Sequence, residues 1–166
     1  MGKPLAGTRI AVKDIFHVKG VQTSCCSRSY LDVYSKPQPE TAACLQTLID
    51  KGACLVGKLH LSMLAMREDP TQCVDYQAPF NPRADGYQSP AGSSSGSGAA
   101  IASYDWLDIT IGTDSIESRP NANESTLTIC SNGEWTKASF VERCLRYMPI
   151  KKYHIIERNG RNLSTF

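Results

Sequence analysis

Three short segments of the 166-residue sequence carry residues that could support hydrolytic chemistry. The first is Arg9-Ile10-Ala11-Val12-Lys13, an apolar run that predicts a short buried strand and ends on Lys13. A lysine at a buried strand end loses water, which lowers its pKa and favours the neutral amine that a general base needs. Taken alone, a lysine at a strand end is more often a solvated surface residue.

The second segment is the loop Gly92-Ser93-Ser94-Ser95-Gly96-Ser97-Gly98. Glycine lets backbone N–H groups approach a substrate closely, and serine hydroxyls can pass protons. Taken alone, such a loop is more often a flexible linker. It also fits the G-x-S-x-G pattern of a nucleophile elbow, with His154 as the downstream histidine. That elbow must follow a strand, and Gln88-Ser89-Pro90-Ala91 does not have the pattern of one.

The third segment, residues 109–115, is an apolar run that delivers the polar turn Gly112-Thr113-Asp114-Ser115. Active sites of open α/β sheets lie at such strand ends. The elements that must position the three segments alternate between strands and helices, which predicts an α/β fold with a mixed sheet and flanking helices. We expect strands at 9–13, 53–57 and 106–111, a helix at 42–51 between a Thr41 cap and Gly52, a helical turn within 59–66, a helix after the Gly/Ser loop, and loops at 20–38 and 69–92.

The character of the chain changes after Asp114, where the alternation stops. We predict one domain over residues 1–118 and a divergent tail over 119–166, with a strand near 125–130 and a helix near 139–147. From Lys137 to Phe166 there are seven Lys/Arg and two Glu, a net of +5, so the remainder nets 2 − 5 = −3. We interpret the basic tail as a solvated surface segment, and we predict no nucleic-acid partner.

Composition bounds the class of protein further. The apolar fraction of 41% and the charged fraction of 20% are typical of a globular protein. The seven cysteines are odd in number and contain no C-x-x-C, so neither a disulfide framework nor a zinc site is expected. No secretory leader or membrane span is visible, which favours a cytoplasmic location and no membrane partner. The three histidines show no spacing typical of metal ligands: His17, His60 and His154.

Five sequence blocks occur together in the order that is typical of the amidase signature family. The chain resembles that family over residues 4 to about 114, the N-terminal part of its core, and the stretch from Pro70 to Pro79 is most similar to fungal amidase-like proteins. The blocks are Pro4-Leu5-Ala6-Gly7 with Ile10-Ala11-Val12-Lys13-Asp14, Lys19-Gly20-Val21-Gln22-Thr23, Gly52-Ala53-Cys54-Leu55-Val56-Gly57-Lys58, Phe80-Asn81-Pro82-Arg83 with Ser89-Pro90-Ala91-Gly92-Ser93-Ser94-Ser95-Gly96-Ser97, and Gly112-Thr113-Asp114.

The resemblance implies hydrolysis of a small-molecule amide through a Ser-Ser-Lys triad, without a cofactor. Lys13 matches the catalytic lysine, and Ser93 matches the middle serine, which precedes a cis peptide bond and relays the proton. The nucleophile of the family lies four residues after the aspartate of Gly112-Thr113-Asp114, which is Ser118 here.

The turn before Ser118 departs from the family pattern, which has two glycines where Ile116 and Glu117 stand. Backbone N–H groups at residues 115–117 are expected to form the oxyanion hole, and Glu117 would place negative charge beside it. A second alignment makes Ser115 the nucleophilic serine, with Ile116 after it and a short deletion before it.

Members of the family are several hundred residues long, so the resemblance implies a truncated core with impaired activity. A partial sheet has an unpaired edge, through which association is expected. The alternative to an enzyme is a non-catalytic, amidase-derived fragment or a partner-binding protein. Intact Lys13 and Ser93 favour the enzyme, whereas the altered turn favours the alternative.

Overall fold

A computed structural model describes residues 2–66, 73–80, 82 and 92–114, together with the backbone of three later strands. The elements, in chain order, are β1 (Arg9–Lys13), α1 (Arg28–Val33), α2 (Ala43–Asp50), β2 (Cys54–Leu59), a 3-10 turn (Met63–Ala65), α3 (Ser95–Ser103), β3 (Ile109–Asp114), β4 (Thr126–Ser131), β5 (Tyr153–Glu157) and β6 (Asn162–Thr165).

The six strands form a sheet in the order β2-β1-β3-β4-β5-β6. β1 lies between β2 and β3 and pairs in parallel with both, so that Ile10 is opposite Leu55 on one side and Ile109 on the other. β3 with β4 and β5 with β6 are antiparallel pairs, whereas β4 and β5 are parallel. The predicted α/β fold with a mixed sheet is therefore confirmed.

The side chains of β1 alternate between two apolar layers, as the two-residue period of a strand requires. Val12 is buried in a cluster with Leu45 of α2, and each is completely shielded from solvent. Ala11 belongs to a second cluster that includes Ala100 of α3. Full burial of a valine or leucine side chain such as Val12 or Leu45 stabilises the fold by roughly 1.5–3 kcal/mol. By the same alternation Lys13 shares the side of Ala11, and it therefore faces α3.

Most elements lie close to their predicted positions. β1 has the predicted bounds, and β2, β3 and α2 begin and end within three residues of the prediction. The strand predicted near 125–130 corresponds to β4. The helix predicted at 139–147 lies outside the described residues, and the division at residues 118 and 119 stays a prediction.

Two local predictions are wrong. The loop predicted at 20–38 contains α1, which buries none of its residues and therefore has no apolar periodicity to detect. Thr41 does not cap α2: the N-cap is Ala42, and the Thr41 hydroxyl accepts a hydrogen bond from the Lys19 N–H at 3.0 Å. Gly52 does follow the end of α2, with a φ of +103° that favours glycine.

Candidate active site

Lys13 ends β1 with its side chain completely buried against the start of α3. Its Nζ atom lies 2.7 Å from Ser93 Oγ, 2.9 Å from Ser94 Oγ and 2.8 Å from Thr113 Oγ1. The carbonyl oxygen of Thr113 is more distant, at 3.4 Å. A buried lysine needs polar partners to offset the loss of water, and these three hydroxyls supply them. We call these four residues the Lys13 cluster.

The loop that carries Ser93 packs against the backbone of residues 60–62, which follow β2. The Ser62 N–H donates to the carbonyl oxygen of Ser93 at 3.0 Å, and the Gly96 N–H donates to that of His60 at 3.1 Å. A Cβ atom at Gly96 would lie 2.5 Å from both the backbone nitrogen and the backbone oxygen of His60. Glycine therefore allows the start of α3 to contact this backbone directly, which positions Ser93 against Lys13.

Ser94 and Thr113 are fixed by each other as well as by the lysine. The Ser94 hydroxyl donates to the Thr113 carbonyl oxygen at 2.9 Å and accepts from the Thr113 N–H at 3.2 Å. Because a serine hydroxyl has one proton, Lys13 must be the donor toward Ser94 Oγ. A Cβ atom at Gly112 would lie 2.6 Å from Ser94 Oγ, so this close approach also requires glycine.

The Lys13 cluster can hold either protonation state of the lysine without rearrangement. An ammonium group donates to all three hydroxyls. A neutral amine donates to Ser94 and Thr113 and accepts the third hydrogen bond from Ser93. One proton can therefore pass in either direction between Ser93 Oγ and Lys13 Nζ, which is the requirement for a proton relay.

The structure brings two of the predicted site residues together, Lys13 and Ser93. The cis peptide bond joins Gly92 to Ser93. It therefore precedes the serine, and the prediction that the serine comes before it was wrong on this point. Four further predicted site residues lie outside the described part of the chain: Ser115, Ile116, Glu117 and Ser118.

Sequence reasoning missed two members of the cluster, Ser94 and Thr113. Residues 112–114, predicted as a polar turn, form the end of β3 instead. The signal for Thr113 was its place at the polar end of a strand next to β1, since the carboxyl ends of parallel strands meet at one edge. Ser94 was hidden among three consecutive serines, whose different roles depend on the direction that each side chain takes at the start of α3.

Burial shifts the pKa values of several side chains outside the cluster, among them His60, Cys25 and Cys26. It lowers the pKa of His60 below its ordinary value of 6.5, an effect that the backbone of Tyr76 opposes in part. The His60 Nδ1 atom lies 3.3 Å from Ser95 Oγ. Burial raises the pKa of the Cys25 and Cys26 thiols. Because the thiolate is the nucleophilic form of cysteine, a raised pKa makes these two thiols less reactive at neutral pH.

Within the described residues, no three His, Cys, Asp or Glu side chains are grouped so that they could hold a metal ion. None of the helices in that part of the chain combines the length and the apolar character of a membrane span. Its cysteines are all free: Cys25, Cys26, Cys44, Cys54 and Cys73.

Comparisons with known proteins show what the chain is similar to. A glutamyl-tRNA(Gln) amidotransferase subunit from Treponema denticola is 39% identical over 100 residues, which are 60% of this chain and 20% of that protein. The solved structure of the corresponding Thermotoga maritima protein matches 66% of this chain and 23% of its own, at 28% identity and a TM-score of 0.58. The peptide amidase of Stenotrophomonas maltophilia matches 68% of this chain and 23% of its own, at 28% identity and a TM-score of 0.55.

The chain therefore spans a fifth to a quarter of the length of these relatives. The family model described as Amidase matches residues 1–118, which include β1, β2, α3 and β3. The parallel strands around β1 and the Lys13 cluster both lie within the matched residues. The chain belongs to the amidase family.

Proposed function

We propose that the chain is an amidase-type hydrolase that cleaves the C–N bond of a carboxamide through a Ser-Ser-Lys triad. The Ser118 hydroxyl attacks the amide carbonyl while its proton passes through Ser93 to the neutral amine of Lys13. Backbone N–H groups of residues 115–117 stabilise the oxyanion. The C–N bond breaks, the amine leaves with the proton from Lys13, and water releases the acid from the acyl-enzyme.

The observation that carries the proposal is the 2.7 Å hydrogen bond between Lys13 Nζ and Ser93 Oγ on a completely buried lysine. Burial of a lysine costs free energy, and a purely structural site would be filled more cheaply by an apolar side chain. A general base, in contrast, needs both exclusion of water and a hydroxyl within about 2.6–3.2 Å.

The substrate class rests on the family and on the names of the relatives, which are a peptide amidase and part of an amidotransferase. Both names refer to amide chemistry, so a small-molecule linear carboxamide is the proposed substrate. The proposed steps use only proton transfer and acyl transfer, for which serine and lysine suffice without a cofactor.

The proposal is tested by a fluorophosphonate probe, which forms a bond between serine Oγ and phosphorus as fluoride leaves and the proton goes to the base. We expect the 166-residue chain to be labelled at Ser118 and Ser118→Ala to remain unlabelled. Lys13→Met should react about 10²–10⁴-fold more slowly, because it removes the general base. Lys36→Met is the matched control, since Lys36 is exposed. Equal labelling of Lys13→Met and wild type would refute the role of Lys13.

A specific observation favours the second candidate, a non-catalytic partner-binding protein. Ile116 and Glu117 stand where the resemblance implies two glycines. Among the described strands β2 also forms one edge of the sheet, and its Val56 is 41% exposed. A chain that unfolds cooperatively but is not labelled at any serine would support this candidate and would contradict the hydrolase.

A further inference from the structure

A second polar group lies next to the Lys13 cluster, around the residue that follows the lysine. Asp14 Oδ1 forms an ion pair with the Nζ atom of Lys58 in β2 at 2.5 Å. The two side chains are only 12% and 15% exposed. Both charges have therefore lost most of their water.

The ion pair also holds the loop between β1 and α1. Asp14 Oδ2 accepts from the Ser24 N–H at 2.9 Å and from the Ser24 hydroxyl. Lys58 Nζ donates to Thr23 Oγ1 at 3.1 Å and to the Gln22 carbonyl oxygen at 3.4 Å. Each charge thus contacts both the partner charge and the loop.

The contacts of the ion pair belong to a closed ring of contacts that includes the hydrogen bond between Lys13 and Ser93. Asp14 is joined to Lys13 by a peptide bond and to Lys58 by the ion pair. The chain continues from Lys58 to Ser62, whose N–H donates to the Ser93 carbonyl oxygen at 3.0 Å. The hydrogen bond from Lys13 Nζ to Ser93 Oγ completes the ring.

The backbone reinforces this ring at the strand ends. Lys13 is opposite Leu59 in the parallel register of β1 and β2. The Asp14 N–H then donates to the Leu59 carbonyl oxygen at 2.9 Å, one residue beyond the last strand pair. The ion pair therefore lies where the ladder ends and where the ends of the two strands would otherwise separate most easily.

Stability alone is a poor explanation for this pair. Burying an ion pair costs desolvation free energy, and the attraction between the two charges often does no more than balance that cost. Apolar replacements of similar volume are often neutral or stabilising. We propose that Asp14 and Lys58 are positioning residues, which hold the ends of β1 and β2 so that Lys13 Nζ stays within hydrogen-bond reach of Ser93 Oγ. This inference rests on the proposed function for its catalytic meaning.

The test compares Asp14→Asn and Lys58→Met with a control variant that loses a different ion pair, at the other end of β1. Arg9→Gln is that control, because it breaks the ion pair between Arg9 and Asp108, which are 2.9 Å apart. Two rates are measured on the full chain. One is the fluorophosphonate reaction. The other is trace acetylation of Lys13 relative to the exposed Lys36, quantified by mass spectrometry.

We expect both Asp14→Asn and Lys58→Met to slow the fluorophosphonate reaction about 100-fold, since a displacement of about 1 Å has that effect on a reacting pair. Relative acetylation of Lys13 should rise above the wild-type value, because the buried amine becomes accessible when the strand ends open locally. Arg9→Gln should leave both rates at wild-type values, which separates positioning from general loosening of the sheet.

Wild-type rates in both measurements for Asp14→Asn and Lys58→Met would overturn the inference. If either single variant does not fold, the double variant Asp14→Leu/Lys58→Met replaces it, because removal of both charges leaves neither one unpaired. This double variant must still show the slow probe reaction and the exposed Lys13. If wild type itself does not react with the probe, the hydrolase proposal fails, and acetylation of Lys13 alone decides on positioning.

Discussion

The contact of α3 with the segment after β2 predicts a large effect from one added methyl group at Gly96. A Cβ atom there would lie 2.5 Å from the His60 nitrogen and oxygen and 2.9 Å from its Cα. These are backbone atoms, which cannot rotate away as a flexible side chain would. In Gly96→Ala the start of α3 must therefore move, and Ser93 and Ser94 must move with it.

One favourable and two unfavourable contributions decide the sign of the change in stability. Alanine is favoured over glycine inside a helix by about 1 kcal/mol. Overpacking a tight site costs about 1–3 kcal/mol, and loss of the 3.1 Å hydrogen bond from Gly96 to His60 costs about 1 kcal/mol more. Because the clash involves backbone, we expect the costs to prevail and Gly96→Ala to lose about 2 kcal/mol of unfolding free energy.

Urea unfolding measures this loss, which corresponds to a fall in melting temperature of about 4–8 °C for a chain of this size. Gly57→Ala is the control, because a Cβ atom at Gly57 meets no heavy atom within 4 Å. We expect that variant to stay within about 1 kcal/mol of wild type. If Gly96→Ala is as stable as wild type, α3 does not approach His60 this closely, and the contact between Gly96 and His60 does not position Ser93.

Two further predictions concern single side chains. Ser94→Ala removes one partner of Lys13 and both hydrogen bonds to the Thr113 backbone, so we expect a loss of about 1–3 kcal/mol in urea unfolding and an approximately 10-fold slower fluorophosphonate reaction. Ser97→Ala, which removes a buried hydroxyl of α3 bonded to Ile111, should leave the reaction rate unchanged; an equal slowing in both variants would contradict the assignment of Ser94. His60→Asn tests a pH effect. Burial lowers the pKa of His60 below its ordinary value of 6.5, so as the pH falls the unfolded chain takes up the proton before the folded chain does. The free energy of unfolding of wild type therefore decreases as the pH falls below about 6.5. Urea unfolding at about pH 7.5 and about pH 5.5 should show a smaller decrease for His60→Asn than for wild type, and an identical decrease would refute this.

Much of the fold around β1 could be predicted from local patterns. The bounds of β1 follow from an apolar run of the right length, and the end of α2 follows from Gly52. α1 could not be predicted in this way, since it buries no residue. Thr41 had the right residue type for a cap, but its hydroxyl is used by Lys19 instead, a contact between segments that sequence spacing does not encode.

The candidate site was predictable only in part, and from motif order rather than from periodicity. Lys13 and Ser93 are 80 residues apart, and only the resemblance to a family linked them. The pairing of Asp14 with Lys58 was not predicted. It depends on the parallel register of β1 and β2, which places the two charges side by side and is set by the packing of the whole sheet.

The position of β1 has a consequence for how a nascent chain can fold. β1 is the earliest described strand, yet it is enclosed by β2 and β3, and the Arg9–Asp108 contact joins residues 99 positions apart. Such remote contacts repay the entropy of closing a long chain segment only when it has closed. At roughly 5–20 residues per second, β1 and β2 wait on the order of several seconds for β3 to be synthesised. During that interval the edge of β1 that later pairs with β3 has no partner strand. A chaperone that binds extended apolar segments could bind β1 along this edge.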